Sequence, residues 1–287
     1  MNEKISVIIP VYNAGKYIRQ TLDCICFNTY KNLEVICVLD KPTDDSERIV
    51  EEYAKTDERI VVLKQPANRG ISAARNLGIK RATGEYMHFM DADDLINMEF
   101  YENMLGAAIA AGADAAAGNF YHERVPGYSV FFDSTLVVST AEDKNNLLQV
   151  SSKRYAWRYL IRRAFWLENN LAFPEEMRSM EDAVMFLVIM KTNRVVTVPG
   201  AAYIYKHRVN SILTNKNKKH KADVKKNSEL ADMRIAELMK EYGVSGNPII
   251  LKKVKYKTLF NRPIIKKVYT DKGVKVYFLG IRLLKIV

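Results

Sequence analysis

Three carboxylates occur within four consecutive residues near the middle of the chain, in the segment Asp91-Ala92-Asp93-Asp94 that directly follows the apolar run EYMHFM. In an extended chain, residues two apart point to the same side, so Asp91 and Asp93 can converge on one point. Carboxylates this close repel each other unless a cation lies between them, and hard oxygen ligands suit Mg²⁺ or Mn²⁺. A solvated acidic turn that caps the next helix explains the cluster equally well, so the cluster alone does not identify a metal site.

The segments before this acidic motif alternate between strand and helix patterns. Continuous apolar runs rich in β-branched residues predict strands covered on both faces, at 5–11, 33–39, 60–63 and 85–90. Helices are predicted between them: one capped by Asn13, one beginning at an acidic capping box around Asp44, and one over 70–82. This order predicts an α/β fold in which a mainly parallel sheet carries helices on both faces. Open sheets of this kind bind ligands at the carboxyl ends of their strands, where Asp91 lies.

The pattern is less regular beyond the acidic motif. It predicts helices over 98–112, 163–169 and 181–191, and strands over 113–122, 130–139, 194–198 and 201–207. The very polar segment 215–221 predicts a linker, and a helix over 223–242 and a basic stretch follow it. We therefore divide the chain into a domain of residues 1–215, with parts 1–94 and 95–215, and a basic, helical extension of residues 216–287.

Five sequence blocks occur in an order that resembles the family 2 glycosyltransferases of the GT-A fold. They are SVIIPVYN at 6–13, EVICVLDKPTDDS at 34–46, NRGISAARNLGIKRATGEYMHFMDADD at 68–94, MEDAVMF at 180–186 and YIYKHRVNSI at 203–212. Together they cover most of residues 1–212, and the third block is very specific. The resemblance implies a Rossmann-like GT-A fold and an inverting transfer of a sugar from a nucleotide sugar to an acceptor hydroxyl. Residues 216–287 match no comparable pattern.

The resemblance also implies where the donor binds. In the family a strand-end acidic motif, called DxD, binds Mn²⁺ or Mg²⁺ on the diphosphate of the nucleotide sugar. Asp93 is then expected to be a direct metal ligand, and Asp91 to serve the ribose or metal-bound water. The other residues expected to contact the nucleotide or its phosphates are Pro10, Tyr12, Asn13, Arg75 and Arg208. A guanidinium offers forked donors to oxyanions, although Arg75 could instead form a salt bridge to Asp91 or Asp93.

The second block differs from the family pattern at the end of its strand. Family members usually carry two adjacent aspartates there, and the first of them reads the base, often uracil. This chain has Leu39 followed by Asp40. Either Asp40 takes over the contact with the base, or the base is read differently. A uridine-linked donor is the expectation from the family, and the departure at Leu39 leaves the nucleotide open.

A second acidic pair, Glu181-Asp182, matches the pair that opens a helix in the family, where the aspartate is the general base. The reaction needs such a group, because a sugar hydroxyl is a weak nucleophile until a carboxylate takes its proton. The resemblance therefore favours Asp182 as the base, whereas the pair by itself indicates only stabilisation of a first helical turn. Trp157 and Trp166 lie where related enzymes hold the acceptor, and each could form a plate under a sugar ring or belong to the core.

The overall composition is that of an ordinary globular protein, with 287 residues of which 48% are hydrophobic and 27% charged. No apolar run approaches the ~18 residues that span a bilayer. The apolar stretch 5–11 is also too short for a signal peptide. The three cysteines, all among apolar neighbours, predict neither a disulfide framework nor a zinc site. We therefore expect a cytoplasmic protein.

The positive charge is concentrated at the C-terminal end. Residues 216–287 contain 19 Lys and Arg and 6 Asp and Glu, a net charge of +13, so the rest of the chain is close to neutral at −2. Basic clusters interleaved with aromatic and aliphatic residues favour anionic membrane surfaces. We therefore expect that the extension could hold the enzyme at the inner face of the membrane, near a glycan or glycolipid acceptor. A solvated basic face is the alternative, and nucleic acid is not expected because no binding motif accompanies the charge.

Two other functions remain compatible with the residues. A metal-dependent nucleotidyltransferase or phosphohydrolase could use the same carboxylates, but its triphosphate-binding loop would be rich in Gly, and VYNAGKYI has one Gly and one Lys. A non-catalytic basic binding protein is the third possibility, and the acidic residues Asp91, Asp93 and Asp182 argue against it. The leading hypothesis is a metal-dependent, inverting glycosyltransferase of cell-surface polysaccharide or glycolipid biosynthesis.

Overall fold

A large α/β sheet with helices on both faces forms the body of the protein. The computed structural model describes residues 1–124, 129–177, 179–207, 218–244, 253–259, 262–270, 273–278 and 281–286, with the backbone alone for 218–221 and from 253 onward. The strands of the large sheet are β1 (Ile5–Val11), β2 (Leu33–Leu39), β3 (Ile60–Lys64), β4 (Tyr86–Phe89), β5 (Leu95–Ile96), β6 (Ala115–His122), β7 (Val137–Val138), β8 (Tyr159–Arg162) and β9 (Val195–Tyr205). The helices are α1 (Ile18–Cys26), α2 (Ser46–Thr56), α3 (Ile71–Arg81), α4 (Phe100–Ala111), α5 (Ala141–Leu148), α6 (Arg163–Glu168), α7 (Val184–Lys191) and α8 (Lys218–Glu241).

The strand order is β3-β2-β1-β4-β8-β6-β9-β5, with β7 paired to β9. The first four strands in this order are parallel to one another, as the repeated strand-helix pattern predicted. β8 is antiparallel to both of its neighbours, β4 and β6, and β6 is parallel to β9. The predicted α/β class with a mainly parallel sheet is therefore confirmed, and the second half of the sheet is mixed.

Two apolar cores lie on opposite faces of the sheet because side chains alternate along each strand. Ile5, Val7 and Ile9 of β1 pack with α1, α2 and α4, whereas Ile8 packs with α3, α6, α7 and α8. Helix α3 approaches the sheet at Gly78, where a Cβ atom would clash with a methyl carbon of Ile8. A glycine there lets α3 approach the sheet and brings its N-terminus to the carboxyl ends of β1 and β2.

Several local predictions are corrected by the structure. Asn13 does not cap a helix, since α1 begins at Ile18 and Asn13 adopts a left-handed conformation with φ of 49°. The strands predicted over 194–198 and 201–207 are one continuous strand, β9. Of the predicted strand over 130–139, only the short β7 is formed. The elements α5 and β8 were not predicted, because their sequences carry no clear periodicity.

The C-terminal extension is helical only in its first part. After α8 the described backbone forms four antiparallel strands, β10 (Lys253–Leu259), β11 (Arg262–Thr270), β12 (Gly273–Phe278) and β13 (Ile281–Ile286). The expectation of a helical extension is therefore wrong beyond α8. This helix also packs on the first domain, with Ile235 and Leu238 in the core and the Asn227 side chain donating to the Ser179 hydroxyl at 3.0 Å. No helix in the described ranges is both long and apolar enough to cross a membrane.

Candidate functional site

The carboxyl ends of three neighbouring strands form one edge of the sheet. The backbone N–H of Asp40, after β2, donates to Val11 O of β1 at 2.9 Å, and Met90, after β4, donates to Ile8 O at 3.0 Å. The segments that follow β1, β2 and β4 therefore lie side by side. This is the edge at which open α/β sheets bind ligands, and it carries most of the residues expected to bind the donor.

The acidic motif forms a tight turn after β4, in which Asp94 N–H approaches Asp91 O at 3.4 Å. The side chains of Asp91 and Asp93 are partly exposed, whereas Asp94 is 1% exposed. The Asp94 carboxylate accepts the Tyr203 hydroxyl and the Lys206 N–H, each at 2.7 Å. Burial raises the pKa of Asp94 well above its ordinary value. Asp94 therefore ties the turn to β9, and the two other aspartates remain at the surface of the site.

Arg75 joins the acidic turn to the second acidic pair. Its side chain is 1% exposed, and its guanidinium donates to Asp182 Oδ1 at 2.7 Å, Glu181 Oε1 at 3.0 Å and Asp91 Oδ1 at 3.1 Å. Burial alone would lower the pKa of Arg75, but the three carboxylates raise it above its ordinary value, so it stays a cation. The structure thus contains the salt bridge to Asp91 that the sequence offered as the alternative to a nucleotide contact.

Glu181 and Asp182 lie in a short 3₁₀ turn, Glu181–Ala183, that leads into α7. Their side chains are 11% and 20% exposed. Asp182 Oδ2 also accepts the Ala156 N–H at 3.3 Å, so both of its oxygens have partners. Burial raises the pKa of Asp182, and burial together with the charge of Asp182 raises the pKa of Glu181 to about 7. The charge of Arg75 lowers the pKa values of both carboxyl groups, but burial outweighs it, so both members of the pair are more basic than ordinary carboxylates.

Asp40 is almost fully buried, at 3% exposure. Its Oδ1 accepts the Gln65 side-chain amide at 2.9 Å and the Arg69 N–H at 2.7 Å, and its Oδ2 accepts the Gly70 N–H at 2.9 Å. Gly70 has φ of 91°, a conformation that glycine adopts without steric cost. In this structure the Asp40 carboxylate holds the connection between β3 and α3, and a base contact by Asp40 stays a prediction.

The residues after β1 form the other side of the edge. Tyr12 is 45% exposed, the most open of the three residues expected there. Asn13 Oδ1 accepts the Thr43 N–H at 2.8 Å, so the segment after β1 is bonded to the one after β2. Pro10 lies within β1, opposite Val38 of β2, and is partly buried. The exposed Tyr12 ring is thus available as a stacking face at the predicted nucleotide site.

A cleft of about 480 Å³ opens next to these carboxylates. Asp91, Glu181 and Asp182 form a carboxylate wall of this cleft, and a group of aromatic residues forms an aromatic wall: Phe120, Tyr155, Trp157 and Tyr205. Sequence reasoning singled out only Trp157 among these four. Phe120 and Tyr155 lie in segments without a recognisable motif, and Tyr205 lies in the block at 203–212, where the resemblance assigned a role to Arg208. The cleft can hold a molecule of sugar size between a carboxylate wall and an apolar wall.

The donor atoms at this edge fit a hard divalent cation shared with a phosphate. Asp91 and Asp93 offer oxygen ligands, which is the preference of Mg²⁺ and Mn²⁺. Among the described residues no group of three or more His, Cys, Asp or Glu side chains is arranged to hold a metal. Such ions are commonly held by one or two carboxylates together with substrate phosphates, so two aspartates suit a metal that arrives with a diphosphate.

Two residues considered from the sequence, Trp166 and Arg208, are not placed at the site, and the histidine of β4 is also a core residue. Trp166 is fully buried against Phe89 and Phe173, so it belongs to the core. His88 is also fully buried, with its ring bonded to the Tyr101 hydroxyl and to Trp157 O, and burial lowers its pKa to about 4. Arg208, expected near the diphosphate, lies outside the described residues, and its role stays a prediction.

The chain is similar to known glycosyltransferases over most of its length. The family model for glycosyl transferase family 2 matches residues 6–171. The chain is 33% identical over 215 residues to the uncharacterized glycosyltransferase EpsJ of Bacillus subtilis, a match that covers 72% of this chain and 62% of EpsJ. It is 30% identical over 208 residues to a poly(ribitol-phosphate) beta-glucosyltransferase of Bacillus spizizenii, covering 70% of this chain and 32% of that protein. The matches therefore span less than two thirds of either relative.

The fold agrees with that of a solved structure, S. aureus TarS. The crystal structure of S. aureus TarS 1–349 in complex with UDP-GlcNAc superposes with a TM-score of 0.69 at 24% identity, covering 83% of this chain and 71% of that one. This likeness confirms the predicted GT-A fold. The family model matches more than half of the chain and includes the strand-end aspartates Asp91 and Asp93. The protein therefore belongs to glycosyl transferase family 2.

Proposed function

We propose that the protein transfers a sugar from a UDP-linked donor to a hydroxyl of a glycan or glycolipid acceptor, with inversion at the anomeric carbon. The observation that carries this proposal is the ion-pair cluster around Arg75, which joins Asp91 at the end of β4 to Asp182 beside α7. A candidate donor-binding carboxylate and a candidate base thus line one cleft, as a transfer between two bound substrates requires.

On the donor side, Asp93 and Asp91 would hold Mn²⁺ or Mg²⁺ on the diphosphate. The metal would neutralise the negative charge of the departing nucleoside diphosphate. The exposed Tyr12 ring offers a stacking face to the base, with Pro10 and Asn13 beside it. Arg75 acts indirectly, because its buried guanidinium binds and orients Asp91 instead of reaching into the cleft.

On the acceptor side, Asp182 would act as the general base. Its carboxylate is nearly twice as exposed as that of Glu181, and its raised pKa makes it a stronger base than an ordinary aspartate. Asp182 takes the proton of the acceptor hydroxyl while that oxygen bonds to the anomeric carbon and the bond to the diphosphate oxygen breaks. A single displacement of this kind inverts the configuration. Arg75 and the Ala156 N–H orient the Asp182 carboxylate during this step.

The aromatic wall of the cleft supports a carbohydrate acceptor. Partly exposed rings such as Tyr155 and Tyr205 can pack against the apolar face of a sugar, while the carboxylates of the cleft bond to its hydroxyls. Trp157 is 2% exposed and stacks on Tyr155 and Tyr203, so it supports the aromatic wall from within. By their names, one relative is a poly(ribitol-phosphate) beta-glucosyltransferase, another is a minor teichoic acid biosynthesis protein of Bacillus subtilis, and EpsJ is a glycosyltransferase. These names support a role in cell-surface polysaccharide or glycolipid biosynthesis for this chain.

The basic extension supports work at an anionic membrane surface. The four strands β10 to β13 contain nine Lys and Arg and no Asp or Glu. Two lysine pairs are directly opposite each other, Lys255 with Lys267 and Lys275 with Lys285. Like charges in register destabilise a sheet unless anions lie near them. We propose that anionic lipid headgroups at the inner face of the membrane supply the negative charges that offset these lysine pairs.

The Asp182→Asn variant tests the base. The amide keeps the shape of the side chain but cannot take a proton, so turnover should fall by at least 10²-fold while the Kd for UDP with Mn²⁺ changes little. The measurement is sugar transfer from UDP-sugars to acceptor glycans, with calorimetry of Mn²⁺ and UDP. Asp45→Asn is the matched control, because Asp45 directly precedes α2, its side chain is 71% exposed, and the change should leave turnover and Kd unaltered.

Two results would reject the proposed reaction. Wild-type turnover in Asp182→Asn would exclude this residue as the base. Retained anomeric configuration in the product, read by NMR, would exclude a single displacement. Release of pyrophosphate from a nucleoside triphosphate would instead indicate a nucleotidyltransferase.

A further inference from the structure

We propose that Tyr203 is a positioning residue that holds the Asp91–Asp94 turn where its aspartates can meet the metal and the diphosphate. This inference rests on the proposed function, because it concerns the same donor site. Tyr203 lies in β9, far from the turn in sequence, and its side chain is fully buried. It does not reach the cleft itself, so any effect on the reaction must act through the residues it contacts.

The hydroxyl of Tyr203 touches both ends of the turn. It accepts the Asp91 N–H at 3.2 Å and donates to Asp94 Oδ2 at 2.7 Å. Asp93, the expected metal ligand, lies between these two contacts. The Asp94 carboxylate also accepts the Lys206 N–H, and Asp94 O accepts the Thr21 hydroxyl at 2.9 Å. The Lys206 N–H and the pairing of Leu95 with Ile204 also fasten the end of the turn to β9 and the residue after it. Of these groups, the Tyr203 hydroxyl is the one that contacts both Asp91 and Asp94.

The ring of Tyr203 is itself held in place by stacking. It lies parallel to Trp157 with centroids 4.3 Å apart and an interplanar angle of 11°, and Trp157 stacks on Tyr155 at 4.6 Å and 6°. Three parallel rings in contact leave the Tyr203 hydroxyl little freedom to move. The position of this hydroxyl is thus set by the aromatic wall of the cleft.

The same wall also contacts the candidate base. The N–H of Ala156, between the two stacked residues Tyr155 and Trp157, donates to Asp182 Oδ2. Segment 155–157 therefore contacts Asp182 directly and the metal-binding turn through Tyr203. One segment thus positions both the Asp91–Asp94 turn on the donor side and Asp182 on the acceptor side. An in-line displacement needs such fixed relative positions of its reacting groups.

The Tyr203→Phe variant separates positioning from general stability. Phenylalanine keeps the ring and the stack but leaves the Asp91 N–H and the Asp94 carboxylate without their shared partner. We expect the Kd of the Mn²⁺–UDP pair, measured by calorimetry, to rise roughly tenfold. The Mn²⁺ concentration that gives half-maximal transfer should rise by the same factor. At saturating Mn²⁺, kcat and the acceptor KM should stay within about threefold of wild type.

Tyr53→Phe is the matched control. The Tyr53 hydroxyl donates to Asp23 Oδ1 at 2.6 Å, so this change also removes a bond between a tyrosine and an aspartate, but between α2 and α1. A similar loss of melting temperature without any change in Mn²⁺–UDP affinity is expected. An equal loss of affinity in both variants would show that stability alone is responsible and would overturn the inference.

A second variant covers the case in which Tyr203→Phe does not fold. Asp94→Asn keeps the shape of Asp94, but an amide has a single acceptor oxygen, so it cannot accept both the Tyr203 hydroxyl and the Lys206 N–H as the carboxylate does. The turn loses one of its two bonds to the β9 segment, and the Mn²⁺–UDP pair should again bind more weakly. Wild-type affinity in a folded Tyr203→Phe or, failing that, in Asp94→Asn would refute the positioning role. Failure of the wild-type protein to bind any nucleotide with Mn²⁺ would instead overturn the proposed function, and the inference with it.

Discussion

At the scale of single residues, the site depends on an imbalance of charge around Arg75. One buried cation, Arg75, faces the carboxylates of Asp91, Glu181 and Asp182, so among these described groups negative charge exceeds positive charge by two when all three carboxylates are ionised. Buried like charges raise each other's pKa values. In the function proposed here, a divalent cation on Asp91 would neutralise these two excess negative charges. We therefore expect the metal and the donor to bind before Asp182 accepts the proton of the acceptor.

The excess of negative charge around Arg75 can be measured at Glu181, through the pH dependence of the free energy of unfolding. Its pKa is raised from 4.5 to about 7 in the folded protein, so protonation favours the fold, and this contribution is lost as the pH rises through about 7. Glu181→Gln removes the titrating group. The variant should match the wild type near pH 5 and be more stable by on the order of 2 kcal/mol near pH 8.

The measurement is urea denaturation of both proteins across that pH range without nucleotide or metal. Glu237→Gln, at a 65% exposed position on α8, should follow the wild-type pH profile. A stability difference between Glu181→Gln and the wild type that is independent of pH would contradict the assignment of the raised pKa to Glu181.

At the scale of elements, α8 belongs to the catalytic body, although it lies beyond the boundary at residue 215 that the sequence suggested. Ile235 and Leu238 are 5% and 3% exposed in the core that contains α3 and α7. Arg154, a residue of the cleft, forms an ion pair with Asp232 of the same helix at 2.9 Å. The division of function at residue 215 stays a prediction, but the packing of α8 places the structural boundary after this helix.

Leu238→Ala tests whether α8 is part of the cooperative fold. Removal of a fully packed leucine should lower the free energy of unfolding of the whole protein by about 2–4 kcal/mol in a single transition. Met233→Ala on the same helix should cost less than about 0.5 kcal/mol, because Met233 is 64% exposed. Equal effects of the two variants, or a separate unfolding step for α8, would show that the helix folds independently.

At the scale of the whole molecule, charge is divided between two parts with different tasks. Residues 1–215 are close to neutral, so the proposed site would attract an anionic donor through a metal and placed cations. The excess of positive charge lies beyond residue 215, and nine of its cations lie on the four strands β10 to β13. We expect these strands to affect where the protein works more than what reaction it performs.

The double variant Lys255→Glu/Lys275→Glu tests the proposed membrane contact. Each glutamate would face a lysine across the sheet, Lys267 or Lys285, so strand pairing should not weaken. The net charge falls by four, and binding to vesicles containing anionic lipid should weaken at least tenfold, at about 1 kcal/mol per cation. Cosedimentation measures this, and raising the salt concentration should weaken wild-type binding as well.

Lys31→Glu/Lys80→Glu is the control with the same change of charge on the first domain, at two exposed positions. It should retain vesicle binding. If both double variants weaken binding equally, net charge alone is responsible. If neither does, the extension does not bind anionic membranes.

The sequence by itself determined the fold class, the first strands and the family, because these depend on local periodicity and on motifs that are continuous in the chain. The strands 5–11 and 33–39 were predicted with the observed bounds, and Asp91 and Asp182 were chosen from short blocks. Only the tertiary structure decided which partners these residues have. Arg75 contacts carboxylates more than 100 positions away, and the Tyr203 hydroxyl reaches a turn from another strand. Such contacts depend on how packed elements bring distant residues together, which no local pattern encodes.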